Sequence, residues 1–415
     1  MKHDDAGTVN LKTSTDHRDR WGGWERRLLE RTLAAAGNPP VEMVLWNGQR
    51  VHPPFQTEGL FRIHLKDRLA LYQLCFHPEL YLGELYSSER LIIDGDLTEF
   101  IKALFYHLPP FHQRTWWLKL MTYLSVPGRN TLRRARRNIH HHYDIGNAFY
   151  QLWLDKDLVY TCAYYKDPGL DLEVAQRAKL DHVCRKLRLA PGETVVEAGC
   201  GWGALAIHMA KYYGVKVRAY NISQEQLAFA RNRASAEGLT ERVTFVEGDY
   251  REIDGTCDAF VSVGMLEHVG RAQFDDLGQV IHRCLPANGR GLIHSIGRNY
   301  PGPMNAWTEK HIFPGSYPPT LAEMAKVFAP GHFAILDVEN LRLHYARTLE
   351  HWLERFEAHK DQVQDMFDEA FVRTWRFYLA ASTASFAAGD LQLYQVVFNR
   401  KRNNDIPWSR AHLYT

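Results

Sequence analysis

The segment Val195-Val196-Glu197-Ala198-Gly199-Cys200-Gly201-Trp202-Gly203 joins an apolar run to a glycine-rich turn. Thr194 to Val196 reads as a buried parallel strand. Ala204 to Tyr213 reads as the helix after the turn, with Leu205, Ile207, Met209 and Ala210 as its apolar residues. Strand, glycine turn and helix bring a ligand against the free backbone N–H groups of a helix start. Glycine lets the chain turn tightly and lets a ligand approach where a side chain would clash. No Gly-Lys-Ser/Thr follows, which excludes a phosphate loop, and G-x-G-x-G in place of G-x-G-x-x-G counts against a nicotinamide or flavin. A second group of reactive side chains lies further on. Glu267 and His268 stand in Ser262-Val263-Gly264-Met265-Leu266-Glu267-His268-Val269-Gly270, at the end of one expected strand, and His294 ends the next. Strand carboxyl ends line the ligand crevices of open α/β sheets. Each residue alone reads as a structural hydrogen-bonding group. Titratable groups on two adjacent strand ends favour a functional pair.

The turn resembles the S-adenosylmethionine loop of class I methyltransferases, with Glu197, Gly199, Gly201 and Gly203 as its candidate contacts. The ribose hydroxyls of such a cofactor need a partner after the second strand. Asn221 and Gln226 stand there, and their amides both donate and accept. The adenine amine needs an acceptor after the third strand. Asp249, beside Tyr250, has that position, the other reading of Asp249 being a turn or helix cap.

These residues require a sheet. Expected strands at Val215–Asn221, Val243–Glu247, Ala259–Val263 and Gly291–Ser295 alternate with helices, a doubly wound pattern. Arg347–Ala388 reads as mostly helical and Leu391–Asn399 as a late strand. Four segments are expected: a disordered polar N-terminus, 1–20; a small α+β accessory domain, 21–126; a basic linker, 127–138; and a methyltransferase domain, 139–415. In the accessory domain Val41–Trp46 and Gln49–His52 flank Asn47-Gly48, which suits a type I′ hairpin turn. Phe61, Ile63 and Leu65 alternate with Arg62, His64 and Lys66 as in a half-buried strand, and helices are expected between Leu69 and Tyr123.

At 415 residues the chain is long for a single core. A net charge of +2 argues against a polyelectrolyte partner such as nucleic acid. No apolar run is long enough to span a bilayer, and Met1–Arg20 is too polar for a signal peptide. The six cysteines show no C-x-x-C spacing, which argues against a metal site or a disulfide framework and fits a reducing cytoplasm. Eleven Trp, twenty Tyr and twenty Phe suit either a rich core or a deep apolar pocket. Arg129, Arg133, Arg134, Arg136 and Arg137 form either a solvated linker face or a contact with anionic lipid headgroups, where each is worth about 1 kcal/mol.

Seven segments together carry a closer resemblance: His141-His142-Tyr143-Asp144-Ile145-Gly146-Asn147, Tyr160-Thr161-Cys162-Ala163-Tyr164-Tyr165, Gly199–Gly203, Ser262–Gly270, Ile293–Gly297, Ile312-Phe313-Pro314-Gly315 and Gln392–Phe398. In order, over residues 139–400, they resemble the cyclopropane-fatty-acyl-phospholipid synthases and mycolic acid cyclopropane synthases. The resemblance implies an α/β fold: a doubly wound, mostly parallel, seven-stranded methyltransferase sheet with helical acyl-pocket insertions, beside the small N-terminal α+β domain. It implies that the double bond of an unsaturated phospholipid acyl chain attacks the methyl of S-adenosylmethionine, and that a bound bicarbonate removes a proton as the ring closes. Cys162, Glu267, His294, Ile296 (through its backbone) and Tyr345 match the bicarbonate site. Tyr160 and Thr161 match cofactor contacts. The resemblance also implies a cytoplasmic, peripheral position at the membrane and allows a homodimer. Glu197 and Ala198 stand where Asp and Ile are usual, and Asn221 where Thr is common. Three alternatives remain: a methyl- or methylene-branched product, a small-molecule N-methyltransferase, and a lipid-binding protein without catalysis.

Overall fold

The computed structural model describes residues 23–53, 60–109 and 145–414. The polar N-terminus 1–20, the arginine cluster of 129–137 and His141 to Asp144 lie outside the described residues.

Four strands form the first sheet: β1 (Val41–Val44), β2 (Arg50–Val51), β3 (Phe61–Leu65) and β4 (Leu91–Asp94), in the order β2-β1-β3-β4. Helices α1 (Gly23–Ala35), α2 (Arg68–Phe76), α3 (Pro78–Ser87) and α4 (Leu97–His107) accompany it. Asp67 and Asp96 cap α2 and α4 by accepting from the N–H groups of Ala70 and Glu99. The β1–β2 hairpin differs from its expected turn. Type I′ needs positive φ at both central residues. Of Asn47 and Gly48 only Gly48 has one, +82°. Gly48 N–H instead donates to the Leu45 carbonyl (2.8 Å) and Leu45 N–H to that of Gln49 (2.9 Å), a longer loop closed by a left-handed glycine.

Seven strands form the second sheet: β5 (Thr194–Ala198), β6 (Lys216–Asn221), β7 (Val243–Glu247), β8 (Ala259–Val263), β9 (Arg290–Arg298), β10 (Phe333–Asn340) and β11 (Leu391–Arg400). Their order is β10-β11-β9-β8-β5-β6-β7. Strands β5 to β9 are mutually parallel, and β11 runs antiparallel to both β9 and β10. From β5 the chain winds outward to β6 and β7, then returns to β8 and β9 on the other side. The switch point therefore lies at the carboxyl ends of β5 and β8, where the glycine turn and Glu267 emerge. Strand β10 is absent from the sequence reading. It is an edge strand, exposed or half-buried along its whole length, and shows no apolar alternation.

Helices α5 (Asn147–Gln151), α6 (Leu172–Lys186), α7 (Ala204–Tyr212), α8 (Gln224–Ala236), α9 (Leu266–Val269), α10 (Phe274–Cys284), α11 (Ala306–His311), α12 (Leu321–Phe328), α13 (Arg342–Ala358), α14 (Lys360–Met366) and α15 (Glu369–Ala388) complete the chain. One apolar core joins the two sheets: Leu29, Met43 and Phe100 belong to the same cluster as Trp153, Tyr345, Trp352 and Phe386. Polar contacts cross the same boundary. Glu84 on α3 takes Lys310 and His311 of α11, and Arg373 of α15 lies 4.3 Å over the Tyr86 ring. All six cysteines are free and buried. Among the described residues no helix is long and apolar enough to cross a membrane, and no group of three potential metal ligands occurs.

Candidate active site

Two cavities meet at the switch point. The smaller, about 160 Å³, is lined by Glu197, Gly199, Cys200, Gly201, Asn221, Gln226, Asp249 and Tyr250. The larger, about 1010 Å³, is lined by Glu267, His294, Ile296 and Tyr345 together with many apolar side chains. Tyr160, Thr161, Gly264 and His268 line both.

The glycine turn shapes the smaller cavity in two ways. Gly201 has φ +53°, and a Cβ there would meet nothing within 4 Å, so its backbone faces open space. Gly203, at φ +80°, does not line the cavity. A Cβ there would stand 2.7 Å from the Phe245 ring and 2.8 Å from Ala230, so this glycine allows α7 to pack against β7 and α8. Asn221 braces the turn: its amide donates to Gln226 Oε1 (2.7 Å) and to the Gly201 carbonyl (3.3 Å). Trp202 Nε1 donates to Asn147 Oδ1 (2.7 Å), tying the turn to the start of α5.

Among the described residues, two buried polar atoms on this cavity wall have no partner, Glu197 Oε2 and the Tyr250 hydroxyl. Buried polar groups are ordinarily hydrogen-bonded, so these atoms suit a polar ligand. Burial pushes the Glu197 carboxyl up to about 8, against the opposing charge of Lys179. Asp249 serves as the cap in a capping box, and it also accepts from Arg251 Nε (2.6 Å) and Nη2 (2.9 Å). The cap reading of Asp249 is thus satisfied on a residue that also lines the cavity.

Helix α6 holds the shared wall. Gln176 Nε2 donates to the carbonyls of Val159 (3.2 Å) and Thr161 (2.8 Å), and Lys179 Nζ donates to Thr161 Oγ1 (2.8 Å). Burial lowers Lys179 to about 8. Tyr160 and Tyr378 share a hydroxyl hydrogen bond of 2.8 Å.

In the larger cavity the Ile296 N–H donates to Glu267 Oε1 at 2.6 Å, while Glu267 Oε2 is buried without a partner among the described residues. This bond ties the Ile296 backbone to Glu267. Burial raises the Glu267 carboxyl to about 7. His294 is buried and held neutral, burial pushing its pKa well below the usual value, with the charges of Lys179 and Lys186 adding to the effect. Its tautomer follows from its neighbours. Lys186 Nζ has only protons to give and donates to Gln395 Oε1 (2.7 Å), so the Gln395 amide nitrogen faces His294 Nδ1 (3.1 Å). Nδ1 then accepts and Nε2 carries the proton. Lys186 is itself held by Glu339 (2.6 Å). Burial opposes the Glu339 charge, but His182 and Lys186 bring its carboxyl down to about 2.

Cys162 lines neither cavity, and its thiol donates to the Ala163 carbonyl (3.1 Å). Burial pushes its pKa far up, so thiolate chemistry is closed to it. Tyr160 and Tyr345, both named by resemblance, line the larger cavity together with Phe313, Phe377, Tyr378 and Phe386, which the sequence reading left unassigned. Lys179, Lys186 and Gln395 were missed as well. Each is a buried polar residue whose partner is distant in sequence, and no local pattern marks such a pair.

Comparison with known proteins bears on this geometry. The family model of mycolic acid cyclopropane synthetase matches residues 130–396. A domain of unknown function (DUF7884) matches residues 28–115. A probable fatty acid methyltransferase of Pseudomonas putida is 34% identical over 391 residues, 90% of this chain and 96% of that protein. Cyclopropane-fatty-acyl-phospholipid synthase of Escherichia coli K12 is 41% identical over 270 residues, 65% of this chain and 69% of that protein. Among solved structures, mycolic acid cyclopropane synthase CmaA1 complexed with SAH and CTAB aligns with a TM-score of 0.61 at 28% identity, covering 64% of this chain and 98% of that one.

Proposed function

The chain belongs to the mycolic acid cyclopropane synthetase family and is an S-adenosylmethionine-dependent methyltransferase, and on that premise we propose that it methylates the double bond of an unsaturated phospholipid acyl chain and closes a cyclopropane ring. The observation that carries this reading is the meeting of the two cavities: a small one at the glycine turn, whose wall holds Glu197, Asn221 and Asp249, opens beside a large apolar one at Tyr160, Thr161, Gly264 and His268.

S-adenosylmethionine supplies an electrophilic methyl on a sulfonium. The alkene π pair forms the new bond to that methyl carbon, the sulfur keeps the electrons of the broken bond, and the acyl chain is left with a cation. A proton then leaves the transferred methyl, and its C–H electron pair closes the ring. We assign the proton's acceptor to a bicarbonate beside Glu267 and His294. The unpaired Glu267 Oε2 and the His294 Nε2–H suit an oxyanion, the carboxyl serving as a donor when protonated. Tyr345 lines the same wall. Apolar walls exclude water that would otherwise trap the cation, and aromatic faces stabilise positive charge. We further propose that the enzyme works at a membrane surface, with the arginines of 129–137 meeting anionic headgroups.

Proton NMR of lipids from cells expressing the chain tests the product. Upfield cyclopropyl signals are expected, and methyl-branch or methylene signals alone would replace this reading with the branched one. Turnover in bicarbonate-depleted buffer should fall and recover on addition. Glu267→Gln and His294→Ala should each lower the rate about 10²–10⁴-fold, the range for an oriented base. Full turnover without bicarbonate would remove it from the reaction.

A further inference from the structure

The larger cavity does not end at the methyltransferase sheet. It continues into the N-terminal unit, where Leu33 of α1, Met43 of β1, Ile63 of β3, and Phe100 and Ile101 of α4 form its wall. All five side chains are apolar and at most 7% exposed. Protein interiors hold few voids larger than a water molecule, because atoms lining a void lose dispersion contacts. An apolar void stays dry and accepts apolar ligands. At about 1010 Å³ this cavity reaches the upper end of the roughly 300–1,000 Å³ found for small-molecule sites.

The cavity also carries a cation. Arg298, at the end of β9, lines it. Arg298 Nη1 donates to the carbonyls of Gly302 and Pro303, both at 2.8 Å, but its Nε is buried without a partner among the described residues. Glu323, Asp390 and Glu79 act on this guanidinium electrostatically, yet burial outweighs them and lowers its pKa. A poorly hydrated cation of this kind suits an anionic oxygen. Glu267 and His294 line the same cavity.

We propose that the N-terminal unit is an acyl-tail chamber: the hydrocarbon beyond the double bond enters, methyl end first, between α1, β1, β3 and α4, while the phosphate-bearing end stays on the Arg298 side. This rests on the lipid reading above and extends it. The domain of unknown function then supplies half of the substrate site. The depth of its apolar wall sets how many carbons lie between the methyl terminus and the carbon that receives the methyl group.

Photocrosslinking separates the extension from the reading beneath it. The full chain is mixed with phosphatidylglycerol vesicles carrying a saturated, unreactive acyl chain with a diazirine at its terminal carbon or near its carboxyl. The terminal probe should label peptides within 23–53 or 60–109, and the carboxyl-proximal probe peptides near Arg298. Terminal labelling confined to 145–414 would overturn the chamber while leaving the lipid reading intact. No labelling with either probe would overturn both. Met43→Trp, which fills the chamber, should lower kcat/KM at least about tenfold for chains with long tails beyond the double bond relative to short ones. Its S-adenosylmethionine affinity should be unchanged. An equal fall for all tail lengths would count against the chamber, and if this variant does not fold the wild-type labelling decides alone.

Discussion

Gln395 makes no contact that a sequence motif would announce, yet it decides which nitrogen of His294 carries the proton. Its carbonyl is taken by Lys186 and its amide faces Nδ1, leaving Nε2–H as the donor into the cavity. Gln395→Leu keeps the volume but frees the tautomer. We expect kcat to fall at least about tenfold, part of the range assigned to an oriented acid or base, with the KM for S-adenosylmethionine unchanged. A matching loss of cofactor affinity would mark the effect as structural. Glu197 offers a second test at this scale. Burial lifts its carboxyl from 4.5 to about 8, so at neutral pH the free protein holds it mostly protonated. Any cation lodged in the same cavity favours the carboxylate, so S-adenosylmethionine binding should release a proton at pH 7. Calorimetry in buffers of different ionisation enthalpy reads this directly. Proton uptake would contradict it, and Glu197→Gln should abolish it. The sign for stability follows from the same shift. The folded pKa lies above the unfolded value, so the contribution is complete below about 4.5 and is lost as pH rises through about 8. Glu197→Gln should therefore flatten the ligand-free stability profile across that window.

At the scale of the element, the glycine turn separates two demands that share one motif. Gly201 opens on the cavity, and Gly203 lets α7 lie against Phe245 and Ala230. Gly201→Val should cost cofactor affinity steeply, with only the penalty of about 1–2 kcal/mol for a side chain at positive φ. Gly203→Val adds collisions with Phe245 and Ala230, so its melting temperature should drop further. Paired calorimetry and thermal melts distinguish them, and equal melting losses would erase the division. The same turn shows what was legible in advance. Strands β7 and β8 were read at their observed limits, since short β-branched and aromatic runs between turn signals leave little freedom. Glu267 and His294 were legible as strand-end titratable groups. Strand β10 was not, because an edge strand with Asp337 and Glu339 on it has no buried face to print a period on the sequence. Cys162 was named by resemblance, and its buried thiol donates to the Ala163 carbonyl. Lys186 and Gln395 escaped notice because pairing across the fold leaves no local spacing.

The whole molecule couples two sheets through one cavity, and this shapes how it should respond to its two ligands. The N-terminal wall, the candidate proton-transfer groups and the helices α13 and α15 border a single space, and their apolar side chains form one continuous core. A ligand that fills this space removes the void on both sides at once and stabilises both sheets by mass action. A ligand in the smaller cavity touches only the second sheet and the shared wall. Hydrogen exchange should therefore give two footprints. S-adenosylhomocysteine should protect 197–205, 220–226 and 248–251, and leave 23–53 and 60–109 at their free rates. A phospholipid with a saturated chain should protect α1 and α4 together with 294–305 and α15. The two footprints should overlap at 158–161 and 264–268, because Tyr160, Thr161, Gly264 and His268 face both spaces. Added together, the ligands should slow exchange at this overlap more than either does alone, since each orders a wall the other must meet. Lipid protection restricted to 145–414 would mean that the two sheets share a core without sharing a substrate, and the N-terminal unit would then be a scaffold only.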